Sequence, residues 1–232
     1  GGIIDPPDEY LPILRDVCDR HNILLIFDEI ITGVGRTGRM FAAETFGVTP
    51  DVLCIAKGMS GGYAPISAMI CRRPIADAFW GPAAVNPGFV EGHTFEGNPI
   101  SCAAGIAVLQ EILERDLLTN ARARGAQLRD RFDALARKYP VIGDVRGKGL
   151  FLGLEIVRDV AARERFPDAD AIGVKVGRRA LEHGMLCRFD PHWIAFGPPL
   201  IVTEEQVDAM VAVLDRSLGE VLVEEGVVTG RP

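Results

Sequence analysis

Two apolar runs in this chain end in charged residues of complementary type. Ile23-Leu24-Leu25-Ile26-Phe27 leads into Asp28, and Val52-Leu53-Cys54-Ile55-Ala56 leads into Lys57. Runs of this length, bounded by turn residues and separated by a Gly-rich stretch with Thr49-Pro50, read as strands buried on both faces of a mostly parallel sheet. In such sheets ligands sit outside the carboxyl ends of the strands. An acid and an amine delivered to that edge could serve one ligand, the acid opposite a cationic group and the amine as a nucleophile. Pyridoxal phosphate (PLP) asks for both, through a lysine Schiff base and an acidic partner for its pyridinium nitrogen. Taken singly, either residue is also an ordinary way to end an apolar run in solvent. Context favours chemistry at Lys57, where Gly58, Gly61 and Gly62 would let backbone approach a bulky ligand.

Five segments extend the pattern in order: LLIFDEIITGVGRTGRMFA, DVLCIAKGMSGGYAPISAMI, GHTFEGNPISCAAGIAVL, GDVRGKGLFLGLEIVRD and FGPPLIVTEEQVDAM. Together they resemble class III PLP-dependent aminotransferases, and within that class the omega-amino-acid:pyruvate enzymes. The resemblance implies fold type I and a transaminase that passes an amino group from an amino-acid or amine donor to an oxo acid such as pyruvate. It also implies roles for individual residues. Lys57 would carry the cofactor and shuttle the substrate proton, and Asp28 would keep the ring nitrogen protonated. A lysine released to act as a base must be neutral, which burial and a cationic ring favour. Ile30, two residues after Asp28, points to the same side of an extended strand as the acid, where the resemblance puts a branched side chain against the ring.

Thr94, in His93-Thr94-Phe95-Glu96-Gly97-Asn98-Pro99, matches the threonine that binds the phosphate of a cofactor held by the neighbouring subunit. That match implies a homodimer with shared sites; alone, a Thr before Gly-Asn-Pro would simply stabilise a turn. Arg188 aligns with the arginine that clamps the substrate carboxylate, where a planar fork gives bidentate geometry. Ile31 stands where ornithine and gamma-aminobutyrate enzymes commonly carry Gln, which argues against those subfamilies. Relatives carry sequence ahead of Gly1-Gly2, so the chain is expected to be a C-terminal fragment without the phosphate loop and the stacking aromatic. A PLP-dependent isomerase or decarboxylase would share Lys57 and Asp28 and is the alternative within the class. An inactive remnant that serves only assembly is another.

A rival of a different class rests on Gly33-Val34-Gly35-Arg36-Thr37-Gly38, a literal G-x-G-x-x-G directly after a strand. A dinucleotide site needs those glycines to open a helix whose N-terminus meets the pyrophosphate. Here Arg39-Met40-Phe41-Ala42-Ala43-Glu44 gives only a short helical pattern, broken by Gly47 and Pro50, and the next acid, Asp51, leads into a strand. The resemblance accounts for the same glycines as a loop near the cofactor.

Composition narrows the class further. The chain has 232 residues, is 48% hydrophobic and has a net charge of -7, enough for a sizeable core and without the basic excess that nucleic acid or anionic lipid demands. No run is long enough for a membrane span, and the first residues read as neither a basic n-region nor an apolar signal core. Cys18, Cys54, Cys71, Cys102 and Cys187 include no C-x-x-C and read as reduced packing residues in a cytoplasmic protein. His21, His93, His183 and His192 show no metal-ligand spacing.

The resemblance implies an α/β protein, with residues 1–115 forming the C-terminal part of a large PLP-binding domain and 116–232 a smaller α+β domain. Asp5 is expected to cap a helix over Tyr10–His21, and strands should form at the two apolar runs and at Ile66–Cys71. A helix over Pro99–Arg115 should pack closely through Ala103, Ala104 and Ala107. Asn120–Lys138 reads as an amphipathic helix whose Arg122, Arg124, Arg129, Arg131 and Arg137 form a solvated face. Arg146-Gly147-Lys148-Gly149 lacks the spacing of a phosphate loop and reads as a turn between strands. Thr203-Glu204-Glu205-Gln206 is a capping box that opens the last helix, to about Leu222, with a frayed tail over 224–232.

Overall fold

A computed structural model describes residues 2–80 and 88–227, and the end of the tail expected to fray lies outside them. The chain divides into two compact units, Pro6–Leu118, and Thr119–Pro232 together with Gly1–Asp5. The division falls inside the first turn of a helix. The first residues join the C-terminal unit because Arg146 Nε donates to the carbonyls of Gly2 (3.2 Å) and Ile3 (2.5 Å), and Lys148 Nζ pairs with Asp5 at 3.3 Å. Asp5 is therefore an ion-pair partner and not a helix cap.

In the N-terminal unit α1 (Tyr10–Arg20) precedes β1 (Ile26–Asp28), and α2 (Ala42–Phe46) precedes β2 (Val52–Ile55). After β2 come a 3-10 turn at Lys57–Ser60, then β3 (Ala68–Cys71), α3 (Arg73–Asp77) and α4 (Pro99–Glu114). The strands lie in the order β1-β2-β3, with β1 parallel and β3 antiparallel to β2. Of the first apolar run only Ile26 and Phe27 lie in the paired strand, and Ile23, Leu24 and Ile26 are exposed. Burial on both faces, expected from the run's apolarity, therefore does not hold for β1. It is an edge strand, with β2 alone on one side of it among the described residues.

Asp51 fixes the register of this sheet. Its carboxylate, 5% exposed, accepts from Leu25 N (2.8 Å), Arg15 Nη1 (2.7 Å) and Arg72 Nη1 (3.0 Å). Asp51 N donates to Leu25 O at 2.8 Å, and Arg72 N donates to Asp51 O at 3.0 Å. One residue thus joins α1, the approach to β1, the start of β2 and the end of β3. The Leu25 amide and the Arg15 and Arg72 guanidinium groups hold its carboxyl down to about 2. Beyond β2, α4 packs on the 3-10 turn through Gly105, where a Cβ would lie 3.3 Å from Ile66 Cδ1 and 3.7 Å from Met59 O. Ala103 and Ala107, expected at that contact, are exposed.

The C-terminal unit carries α5 (Leu117–Lys138), β4 (Ile142–Lys148), β5 (Phe151–Ile156), α6 (Ile172–Glu182), β6 (Arg188–Asp190), β7 (Trp193–Phe196) and α7 (Glu204–Glu224). Its sheet, β4-β5-β7-β6, is antiparallel throughout. Leu152, Leu154 and Ile156 alternate along β5 and bury one face against Leu128 and Phe132 of α5 and Leu214 and Leu218 of α7. Thr203 caps α7 as its sequence implies, with Gln206 N donating to Thr203 Oγ1 at 3.3 Å and Thr203 N to Gln206 Oε1 at 3.0 Å. The arginines of α5 are not merely solvated. Arg124 pairs with Glu204 (2.8 Å), Arg131 with Asp208 (2.9 Å), and Arg129 donates to the carbonyls of Val145 and Gly147. They staple α5 to α7 and to the hairpin, which a helical wheel cannot reveal. Gly173 and Gly177 let α6 lie against β6, since a Cβ on Gly177 would overlap the Phe189 ring.

Asp51→Asn should cost the N-terminal unit about 2–3 kcal/mol in urea unfolding, because a buried acceptor of charged donors is lost. In the unaltered chain folding depresses the Asp51 carboxyl, so its stabilisation is complete above the ordinary carboxylate value and is lost as pH falls towards about 2. The urea midpoint should drop over that interval and change less in the variant. Gly177→Ala should destabilise the C-terminal unit by about 1–3 kcal/mol through overpacking, read as a lower thermal midpoint.

Candidate active site

The parallel register pairs Ile26 with Val52, Phe27 with Leu53 and Asp28 with Cys54. Asp28 therefore ends β1 beside Cys54 of β2, and Lys57 follows three residues later at the same sheet edge. The strand stops at Asp28 because its own side chain turns the backbone, with Ile30 N donating to Asp28 Oδ1 at 3.0 Å. Ile30 consequently lies in a turn and not on an extended strand, so the alternation argument that aligned it with Asp28 fails. Asp28 is exposed, and its Oδ2 accepts no hydrogen bond among the described residues.

Lys57 begins the 3-10 turn with φ +45°, a left-handed conformation rare for a side chain this long. The turn is closed by Met59 N to Ala56 O (3.0 Å) and Gly61 N to Gly58 O (3.1 Å), and Ser60 Oγ donates to Ala64 O. Lys57 is exposed and not buried as expected. Its setting still separates it from the other lysines of the chain. Lys138 pairs with Asp215, Lys148 with Asp5 and Lys175 with Glu225, whereas Lys57 has no ion-pair partner among the described residues.

Lys57 lines a cleft of about 730 Å³ with Ser60, Gly62, Ser67, His93, Glu96, Asn98, Ser101 and Cys102 among its walls. The volume falls in the range of small-molecule and cofactor sites. One wall is the start of α4, where Asn98 Oδ1 accepts from Ile100 N (3.0 Å) and Ser101 N (3.2 Å) and Pro99 fills the first helical position. Thr94 sits in the preceding double turn, closed by Glu96 N to His93 O (2.9 Å) and Asn98 N to Phe95 O (3.1 Å). It is exposed, and its neighbours His93 and Phe95 line the cleft while Thr94 does not. Arg188 belongs to the other unit, at the start of β6, with its guanidinium carbon 5.8 Å from the Trp193 ring centre.

The glycine-rich loop does not open a nucleotide site. α2 begins four residues after Gly38, and its first amides, Ala42 N and Ala43 N, are already taken by the Glu29 carboxylate at 2.6 and 2.7 Å. An anion would have to displace that acid. Glu29, 2% exposed, is the residue that the sequence reading missed. Strand alternation places it opposite Asp28, and an acid on the inward side of a strand requires buried partners. Among the described residues no cluster of His, Cys, Asp or Glu could hold a metal, and no helix is long and apolar enough to cross a membrane.

Comparison with known proteins decides the family. The family profile "Aminotransferase class-III" matches residues 1–218. The chain belongs to the class III aminotransferases. It is 40% identical over 220 residues to an omega-aminotransferase of Caulobacter vibrioides, covering 95% of this chain and 48% of that protein. It is 39% identical over 222 residues to an acetylornithine aminotransferase of Caldanaerobacter subterraneus, covering 95% of this chain and 51% of that protein. Among solved structures it is similar to a PLP-bound amine transaminase from an uncultivated Pseudomonas species, with TM-score 0.88 and 40% identity over 94% of this chain and 49% of that one. The chain thus spans about half the length of the relatives it matches, and its mixed α/β fold agrees with fold type I. Asn98→Ala should remove the cap of α4 and lower stability by about 1 kcal/mol, with faster amide exchange at Ile100 and Ser101 as the local sign.

Proposed function

We propose that this class III chain works in a PLP-dependent transaminase that passes an amino group from an amine or amino-acid donor to an oxo acid such as pyruvate. The observation that carries the reading is Lys57, a lysine without an ion-pair partner among the described residues, held at a cleft one strand from the free carboxylate oxygen of Asp28. Bound there, PLP would supply an aldehyde that condenses with amines and a ring that accepts electron density. The residues present fit such a group: an amine at the cleft, an acid at the neighbouring strand end and Gly62 in the cleft wall.

Lys57 Nζ would bind the cofactor at rest and, once released, take a proton from the donor Cα and return it on the far side of the amino transfer. Asp28 Oδ1 is occupied by Ile30 N, which orients the carboxylate and leaves Oδ2 to hold a proton on the ring nitrogen. Ile30 is assigned to the ring face, Thr94 to the phosphate of a partner subunit's cofactor in a homodimer, and Arg188 to the substrate carboxylate. Those three assignments rest on family resemblance. Residues 1–115 are assigned to the large PLP-binding domain and 116–232 to the small one. The apolar Ile31 cannot hydrogen-bond a cofactor oxygen, which favours omega-amino-acid or amine donors over ornithine-type ones. The five free thiols suit a cytoplasmic enzyme.

The test is to mix the chain with PLP, reduce with borohydride and map the modified peptides. Label should concentrate on Lys57 and vanish from that peptide in Lys57→Ala. Even labelling of Lys138, Lys148 and Lys175 would overturn the assignment. Conversion of pyruvate to alanine with an amine donor should fall by about a thousandfold or more in Lys57→Ala.

A further inference from the structure

We propose that Glu29 and Val34 are positioning residues that set the backbone on which Lys57 is held. Glu29 is a buried carboxylate with no cation beside it among the described residues. Its Oε2 accepts from Ala42 N (2.6 Å) and Thr32 Oγ1 (3.3 Å), and its Oε1 accepts from Ala43 N (2.7 Å). Its backbone is engaged at both ends. Glu29 N donates to Cys54 O at 2.9 Å, which ties it to β2, and Glu29 O accepts from Gly33 N at 3.0 Å. Only glycine fits at that return, since a Cβ on Gly33 would lie 2.8 Å from Glu29 O. The loop over 30–41 is thereby folded back, closed by Gly35 N to Met40 O (3.2 Å) and Gly38 N to Gly35 O (3.0 Å).

The fold-back buries Val34, 3% exposed and with φ +57°. A β-branched residue in the left-handed region is a true outlier, retained only where surrounding structure over-determines it. Its neighbour is Gly58, where an added Cβ would lie 3.7 Å from Val34 Cβ. Gly58 follows Lys57, itself at φ +45°. One strained position therefore lies beside the glycine that follows the other, and the loop that carries Val34 is anchored by Glu29, the residue next to Asp28. A single buried carboxylate fixes both the strand end that carries the acid and the turn that carries the amine. This inference rests on the proposed function only in taking Lys57 as the cofactor lysine.

Val34→Gly removes the contact while relieving left-handed strain, so folding is preserved. Glu29→Gln keeps one acceptor oxygen and presents an NH2 group to amides that need the other. In the full chain, amide exchange at Met59 and Gly61, the thermal midpoint, and the share of PLP-borohydride label on Lys57 against Lys138, Lys148 and Lys175 should be measured together. Val34→Gly should lower the midpoint only modestly, since relieved strain offsets part of the lost burial, and should leave the protection of Ala42 and Ala43 unchanged. Exchange at Met59 and Gly61 should nevertheless rise by roughly five- to tenfold, and the Lys57 share should fall towards even labelling of the four lysines. Glu29→Gln should lose protection at Ala42 and Ala43 as well. Wild-type protection at Met59 and Gly61 in Val34→Gly would overturn the inference, as would exchange that rises evenly across the N-terminal unit in step with the midpoint. Label scattered in the unaltered chain, with the turn still opened by Val34→Gly, would overturn the functional reading and uphold the positioning role.

Discussion

The carboxylate of Asp51 is the constraint on which the rest of the N-terminal unit depends. A parallel strand pair has no hairpin to set its register, and a slip of one residue would turn every side chain to the opposite face. Asp51 prevents the slip by bonding to both the amide and the carbonyl of Leu25, while Arg15 and Arg72 bring α1 and the end of β3 to the same point. With the register fixed at one end, Asp28 must emerge beside Cys54 at the other. The placement of acid and amine at one sheet edge is a consequence of an ion-paired aspartate at the opposite edge.

Glu29 and Asp51 solve the same problem in different ways. Both are buried carboxylates, and burial of an uncompensated charge is costly. Asp51 is compensated by two guanidinium groups and an amide, whereas Glu29 is compensated by neutral donors, including the first amides of α2. The amides at the start of a helix carry partial positive charge and are otherwise without acceptors. The five-residue helix α2 gains its cap from a strand end rather than from its own N-cap residue, Phe41. That arrangement also explains why a G-x-G-x-x-G spelling here serves a return loop: the helix end that would hold a phosphate already holds an acid.

The C-terminal unit distributes its charges on another principle. Arg179 of α6 reaches Glu220 and Glu224 of α7 at 2.8 and 2.9 Å, and the arginines at 124 and 131 of α5 reach α7 from another side. Arg179, with Arg216 and His183, holds the Glu220 carboxyl down to about 2. These pairs are largely solvated and individually weak. The apolar core beneath them, from Phe132 to Leu222, supplies the driving force, and the pairs select which helix faces meet.

Local chemistry was legible in the sequence wherever a short pattern suffices. The α4 start at Pro99, the Thr203 capping box and the start of β2 at Val52 follow from neighbouring residues. The charged ends of the apolar runs pointed to Lys57 and Asp28 for the same reason. The first strand, by contrast, begins at Ile26 and not Ile23, and the return expected at Arg146–Gly149 falls at Gly149-Leu150 because Arg146, Gly147 and Lys148 extend β4. Four features required the folded chain: the exposure of β1, the turn at Ile30, the pairing of Asp5 with Lys148, and the docked arginines of α5. The last two depend on partners far along the chain, the first on what packs over the strand, and the turn at Ile30 on a short-range bond to Asp28 that strand periodicity does not encode. Glu29 lies between the two cases, since alternation marks it as inward-facing but only the return of residues 42 and 43 supplies its donors. The sequence by itself determined which residues could carry the chemistry. Tertiary structure alone decided which of them share an edge, because that follows from strand register and loop closure.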